Sequence, residues 1–144
     1  MLTNTKLLKV KFTDEVYEIE KHGDWYDLRN IDDVKMERGD FKYLSLGVCI
    51  ELPKGYEAIV APRSSLFKNY GIILANSIGI IDEDYNGDND IWHFPAFCVW
   101  RETFIPSGTR ICQFRIIEHQ PPLAFMVSSQ LGNNDRHGLG STGV

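Results

Sequence analysis

Glycine and proline punctuate this chain from end to end, and what lies between them is short and β-rich. Gly23, Gly39, Gly47, Pro53, Gly55, Pro62, Gly71, Gly79, Gly87, Pro95, Pro106, Gly108, Pro121 and Pro122 bound runs rich in Val, Ile, Phe, Tyr and Trp at 56–60, 78–81, 91–100 and 110–117. Turn chemistry at this spacing predicts an antiparallel, all-β sandwich or barrel. The two Pro-x-Gly turns, Pro53-Lys54-Gly55 and Pro106-Ser107-Gly108, have a mechanism: proline presets φ and glycine follows without strain. One segment departs from the pattern. Ser64 is a helix N-cap in sequence terms, residues 65–70 are helix-compatible, and Gly71 is placed to end the turn, so 64–71 is read as the only helix.

A length of 144 residues, 43% apolar and 24% charged, suits one folded domain with a core of its own. No apolar run approaches the roughly 18–20 residues of a membrane span. Lys9 and Lys11 alternating with Leu8, Val10 and Phe12 predict a strand rather than a signal peptide. Cys49, Cys98 and Cys112 show no CxxC spacing and read as buried thiols of a cytoplasmic protein, neither a disulfide framework nor a zinc knuckle. A net charge of −5 argues against a nucleic-acid-coating surface, although a few local donors still suffice for a small phosphate ligand. From Gly132 onward the chain is glycine-rich and polar. The expected organisation is therefore a β domain over 1–131 and a mobile arm over 132–144.

Four segments carry chemistry. In Ala61-Pro62-Arg63-Ser64-Ser65 a strand meets a helix start, whose free N–H groups favour an anion while Arg63 offers a planar fork to phosphate oxygens. From Asn76 to Asp88 an apolar run leads into the carboxylates Asp82, Glu83 and Asp84 at an Asn86-Gly87 pair, read as a hairpin turn. A carboxylate at a strand end can hold a water for attack on phosphorus. Asp82, Asp84, Asn86 and Gly87 also imitate the opening of an EF-hand loop, but His93 stands where that loop needs a bidentate Glu. Gly108-Thr109-Arg110-Ile111-Cys112-Gln113 is a turn feeding a strand with Arg110 and Gln113 as polar members. Arg136, Gly138, Gly140, Ser141 and Thr142 give the arm close backbone approach and donors for an anion.

Each segment alone has an ordinary structural explanation. In sequence order, however, Tyr26-Asp27-Leu28, the Pro-Arg-Ser-Ser start, Asn-x-x-Gly-x-Ile-Asp-x-Asp-Tyr-x-Gly, Arg-Ile-x-Gln and the terminal Gly-Ser-Thr-Gly resemble the dUTPase family from Asp27 to Gly143. The resemblance implies a distorted β-barrel or jelly roll, assembled as a homotrimer with active sites between subunits. It implies hydrolysis of dUTP to dUMP and pyrophosphate, with Asp82 activating the attacking water. Mg²⁺ is implied on the phosphates, with Asp27 holding its hydration shell. Arg63, Ser64, Ser65 and Gln113 are implied phosphate contacts, and Arg136, Gly140, Ser141 and Thr142 those of the γ-phosphate end. Asn76 with the backbone of Gly79 and Ile81 is implied to read uracil, and Tyr85 to lie beneath the deoxyribose. Such a site rejects a wrong base edge more strongly than an apolar pocket does.

The chain departs from the family pattern in three places. Asp24-Trp25 replaces a small Ala-Gly pair, the tail arginine lies closer to Gly-Ser-Thr-Gly than usual, and Leu139 stands where a uracil-stacking phenylalanine is common. Among Trp92, His93 and Phe94, the first and third share a strand face and want burial. His93 is left to face the nucleotide and take part of the stacking role; the alternative is a solvated His93, with Leu139 alone covering the base. His22, His119 and His137 show no metal-ligand spacing and read as surface residues. A related fold with dCTP deaminase activity would need a base-directed glutamate, for which no segment is found. A regulatory protein keeping the fold without catalysis is disfavoured by the intact Asp27, Asp82, Tyr85 and Gln113.

Overall fold

The computed structural model describes residues 4–140. Its strands are β1 (Lys9–Phe12), β2 (Lys21–His22), β3 (Trp25–Arg29), β4 (Val34–Met36), β5 (Phe41–Ser45), β6 (Val48–Glu51), β7 (Tyr56–Pro62), β8 (Ile72–Leu74), β9 (Gly79–Ile81), β10 (His93–Cys98), β11 (Thr103–Ile105) and β12 (Arg110–Glu118). One helix, α1 (Ser65–Tyr70), sits between β7 and β8. The all-β expectation holds. The strands form sheets β2-β3-β12-β7-β9, β5-β10-β8, β1-β6 and β11-β4, rather than one closed barrel. Short strands ended by turns let the chain change sheets often, so no single sheet continues far enough to close.

The core lies between these sheets. Trp92, Phe94, Met36, Ile105 and Ile111 are fully buried, and Trp92 meets Phe114 edge-on at 5.4 Å between ring centres. Along β10 the burial alternates, with Phe94, Ala96 and Cys98 buried and His93 exposed, as a half-buried strand requires. All three cysteines are buried and unpaired. No helix among the described residues is long and apolar enough to cross a membrane.

Helix α1 begins where expected, but Ser64 makes no side-chain capping bond, and Gly71 closes the helix with φ +67°. The Asn86-Gly87 hairpin does not form. β9 pairs with β7, and β10 pairs with β5 and β8, so the strands flanking that dipeptide are not partners. The intervening loop closes locally instead, with Gly87 N–H donating to Asp90 Oδ2 at 2.8 Å. An Asn-Gly pair signals a two-residue hairpin only if its neighbours find each other; here the longer β7 and β5 edges win them.

Candidate active site

The site residues fall into two groups set by one strand. At the start of β7, Ala58 pairs with Ile81, which delivers Asp82 to the rim of a cleft of about 340 Å³. Asn76, Gly79, Ile81, Asp82, Tyr85 and His93 all line that cleft, and Asp82 and Asn76 are exposed. Tyr85 donates its hydroxyl to Ile91 O at 2.9 Å. Burial, then the carboxylate of Asp90, pushes the Tyr85 phenol above its ordinary range, so the ring stays a neutral donor fixed across the loop. Tyr43 stands edge-on to His93, 6.5 Å between ring centres, and closes one wall.

The second group gathers toward the other end of β7, on β3 and β12 of the same five-stranded sheet. Asp27 pairs with Gln113, and Gln113 with Ala61, so Arg63, two residues beyond Ala61, shares their face. Asp27 is 3% exposed. Its Oδ2 lies 3.2 Å from Arg63 Nε, 3.4 Å from Arg110 and 3.6 Å from His22, while its buried Oδ1 has no hydrogen-bond partner. Gln113 donates to Pro62 O at 3.2 Å. Ser64 is exposed and Ser65 half-buried at the helix start.

Arg110 reaches this face through an irregularity. β12 carries a bulge between Arg110 and Cys112, so that Arg110 pairs with Arg29 while Gln113 pairs with Asp27. Residues three apart on a regular strand point to opposite faces; one extra residue brings both side chains to the same one. Ile111 and Cys112, left adjacent, are both fully buried. Period-two reading of the sequence hides this juxtaposition.

Two further residues join the cluster without a sequence signal. Glu20 accepts from Arg29 at 3.2 Å and Arg110 at 2.9 Å, and its contacts with His22, Arg110 and Arg29 hold its carboxyl below the ordinary range against desolvation. His22, read above as a surface residue, has Nε2 at 2.7 Å from Arg110. The hairpin that delivers it, β2 against β3, is too short to announce itself in sequence. Of the arm residues, Arg136, Leu139 and Gly140 are exposed, Leu139 fully so. Ser141 and Thr142 lie outside the described residues.

The all-β fold presents an amide, a carboxylate and a tyrosine around one cleft, and arginines beside an unpartnered carboxylate oxygen elsewhere, a set of groups suited to a phosphate-bearing ligand. The chain belongs to the dUTPase family, whose model matches residues 22–143. It is 52% identical over 140 residues, 95% of this chain and 98% of the relative, to the SPbeta prophage-derived deoxyuridine 5'-triphosphate nucleotidohydrolase YosS of Bacillus subtilis (strain 168). It is 39% identical over 123 residues, 82% of each chain, to the deoxyuridine 5'-triphosphate nucleotidohydrolase of Hydrogenobaculum sp. (strain Y04AAS1). Among solved structures, a Staphylococcus bacteriophage 80alpha dUTPase with dUPNHPP superposes with TM-score 0.82 at 19% identity, over 97% of this chain and 100% of that one. A mutant dUTPase from phage phi11 of S. aureus, described for its structural Mg(II) ion, gives TM-score 0.74 at 16% identity over 85% and 97%. At those identities the structures speak for the fold alone.

Proposed function

We propose that this chain, a dUTP diphosphatase by family, works as a cytoplasmic homotrimer in which water activated by Asp82 attacks the α-phosphorus of dUTP. The products are dUMP and pyrophosphate. One observation carries the shared-site reading. Asp82 leaves the sheet opposite the start of β7, and Arg63 follows its end at Pro62, about 20 Å away at roughly 3.3 Å per residue. A triphosphate on one chain's Arg63 cluster therefore lies out of reach of that chain's Asp82, so a complete site takes its halves from different copies.

In that arrangement Asn76 and the backbone at Gly79 and Ile81 bind the uracil edge, and Tyr85 packs beneath the deoxyribose. His93 flanks the base with Leu139 of the arm. Arg63, Ser64, Ser65 and Gln113 hold phosphate oxygens; Arg136, Gly140, Ser141 and Thr142, from the arm at 132–144, close over the γ-phosphate. Asp82 holds the water and takes its proton as the bond to phosphorus forms, and the electrons of the breaking P–O bond leave with pyrophosphate.

Asp27 suits Mg²⁺ through water: its buried Oδ1 has no partner, and a carboxylate oxygen can accept from a metal-bound water. When bound, the ion offsets phosphate charge and orients the leaving group. The test is incubation with dUTP, dCTP, dTTP and UTP in Mg²⁺, with pyrophosphate and nucleotide product both identified. Rapid pyrophosphate release from dUTP alone is expected; ammonia release from dCTP, or equal rates on all four, overturns the reading.

A further inference from the structure

We propose that Glu20 is a positioning residue for Asp27: by holding Arg110, it keeps the buried Oδ1 of the Asp27 carboxylate without a protein partner, so that it can accept from a metal-bound water. This rests on the Mg²⁺ reading above. Asp27 N–H donates to Glu20 O at 2.8 Å, and the β2–β3 pairing of Lys21 with Tyr26 puts Glu20 directly across from Asp27. Glu20, Asp27 and Gln113 thus form one cross-strand row, extending the row of substrate-facing residues by one strand.

Two carboxylates directly opposite each other repel, and the cations between them decide which is neutralised. Arg110 is the shared one, 2.9 Å from Glu20 Oε2 and 3.4 Å from Asp27 Oδ2. Arg29 is committed elsewhere: it donates to Gly108 O at 2.7 Å and lies over the Tyr17 ring, so it keeps two anchors without Glu20. Arg110 has no comparable anchor. Besides Glu20, the polar partners of its side chain among the described residues are His22 Nε2, at 2.7 Å, and Asp27. Remove the Glu20 charge, and the guanidinium shifts onto Asp27, where it competes with a cation. Arg63 already occupies the same oxygen at 3.2 Å, so a second full ion pair covers what Oδ1 leaves open.

The consequence has opposite signs for two ligands. Losing one negative charge from a cluster of Arg29, Arg63 and Arg110 strengthens metal-free triphosphate binding, whereas a re-paired Asp27 weakens the metal. The experiment uses the full-length assembly and titrates α,β-imido-dUTP without metal, and then Mn²⁺ in the presence of saturating analogue by electron paramagnetic resonance. Glu20→Gln is expected to weaken Mn²⁺ roughly tenfold, as loss of a group orienting a metal ligand does, and to tighten metal-free analogue binding. A merely structural role moves both affinities the same way, and either that result or no change overturns the proposal. Glu20→Asp, which keeps the charge but falls short of Arg110, replaces Glu20→Gln should that variant not fold; Mn²⁺ is then expected to weaken with metal-free analogue binding unchanged, and both affinities unchanged or moving together overturns the proposal. Asp27→Asn is the control. If it weakens Mn²⁺ and Glu20→Gln does not, the proposal alone falls; if it leaves Mn²⁺ unchanged, the metal reading falls and takes the proposal with it.

Discussion

Asp82 follows the last residue of β9 and stands exposed at the rim of the cleft, with no ion pair to neutralise it among the described residues. Its removal therefore disturbs little packing. Asp82→Asn is expected to keep the fold and bind dUTP while turnover falls roughly 10²–10⁴-fold, the usual worth of a positioned base; single-turnover kinetics check it, and near-normal rates would remove Asp82 from the mechanism. His93 is the second residue whose position matters by itself. It is exposed, lines the cleft, and keeps its ring across the wall by an Nδ1 contact of 2.8 Å to Ile91 O. An aromatic contact on a base contributes about 1–3 kcal/mol. His93→Ala is expected to raise the KM for dUTP roughly tenfold with kcat little changed; unchanged kinetics would leave the base to Leu139.

Helix α1 shows how an element is held by a single backbone choice. Gly71 has φ +67°, and a Cβ there would come within 2.0 Å of the Trp100 ring. Gly71→Ala meets both the left-handed backbone penalty and overpacking, together about 2–5 kcal/mol. Urea unfolding is expected to show that loss; a shift under 1 kcal/mol by the same scale would mean that Trp100 moves aside freely. The bulge in β12 acts at the same scale. It turns an odd spacing into a shared face, so Arg110 and Gln113 both meet Asp27. The motif Arg-Ile-x-Gln is legible in the sequence, but the common orientation of its ends is not, because a bulge depends on the partner strand.

At the scale of the whole molecule, the strands end at Glu118, and residues 119–140 are exposed. Leu123, Phe125, Met126 and Val127 are exposed within that segment, which is what a segment covered by another copy looks like when seen alone. Together with the two candidate groups at opposite ends of β7, this fits the proposed assembly with shared sites. A chain truncated after Gln130 is expected to sediment as a trimer and lose at least 10²-fold in turnover, the scale of positioned phosphate donors. A fully active monomer in sedimentation would contradict the shared site.

Local chemistry determined much of this in advance. Turn residues set the strand lengths, Gly71 ended the helix, and alternation buried Trp92 and Phe94 while exposing His93, because each depends on neighbours within a few residues. Motif order pointed to the family, and it singles out residues 27, 63, 76, 82, 85 and 113 as candidates. Tertiary structure decided the rest. Whether Asn86-Gly87 closes a hairpin depends on which edges its flanking strands can reach, and they reached β7 and β5. Whether Glu20 and His22 belong to the site depends on a two-residue strand lying beside Asp27. No local pattern encodes either outcome, because a strand's partner is chosen by competition among all the edges the fold brings within hydrogen-bonding distance.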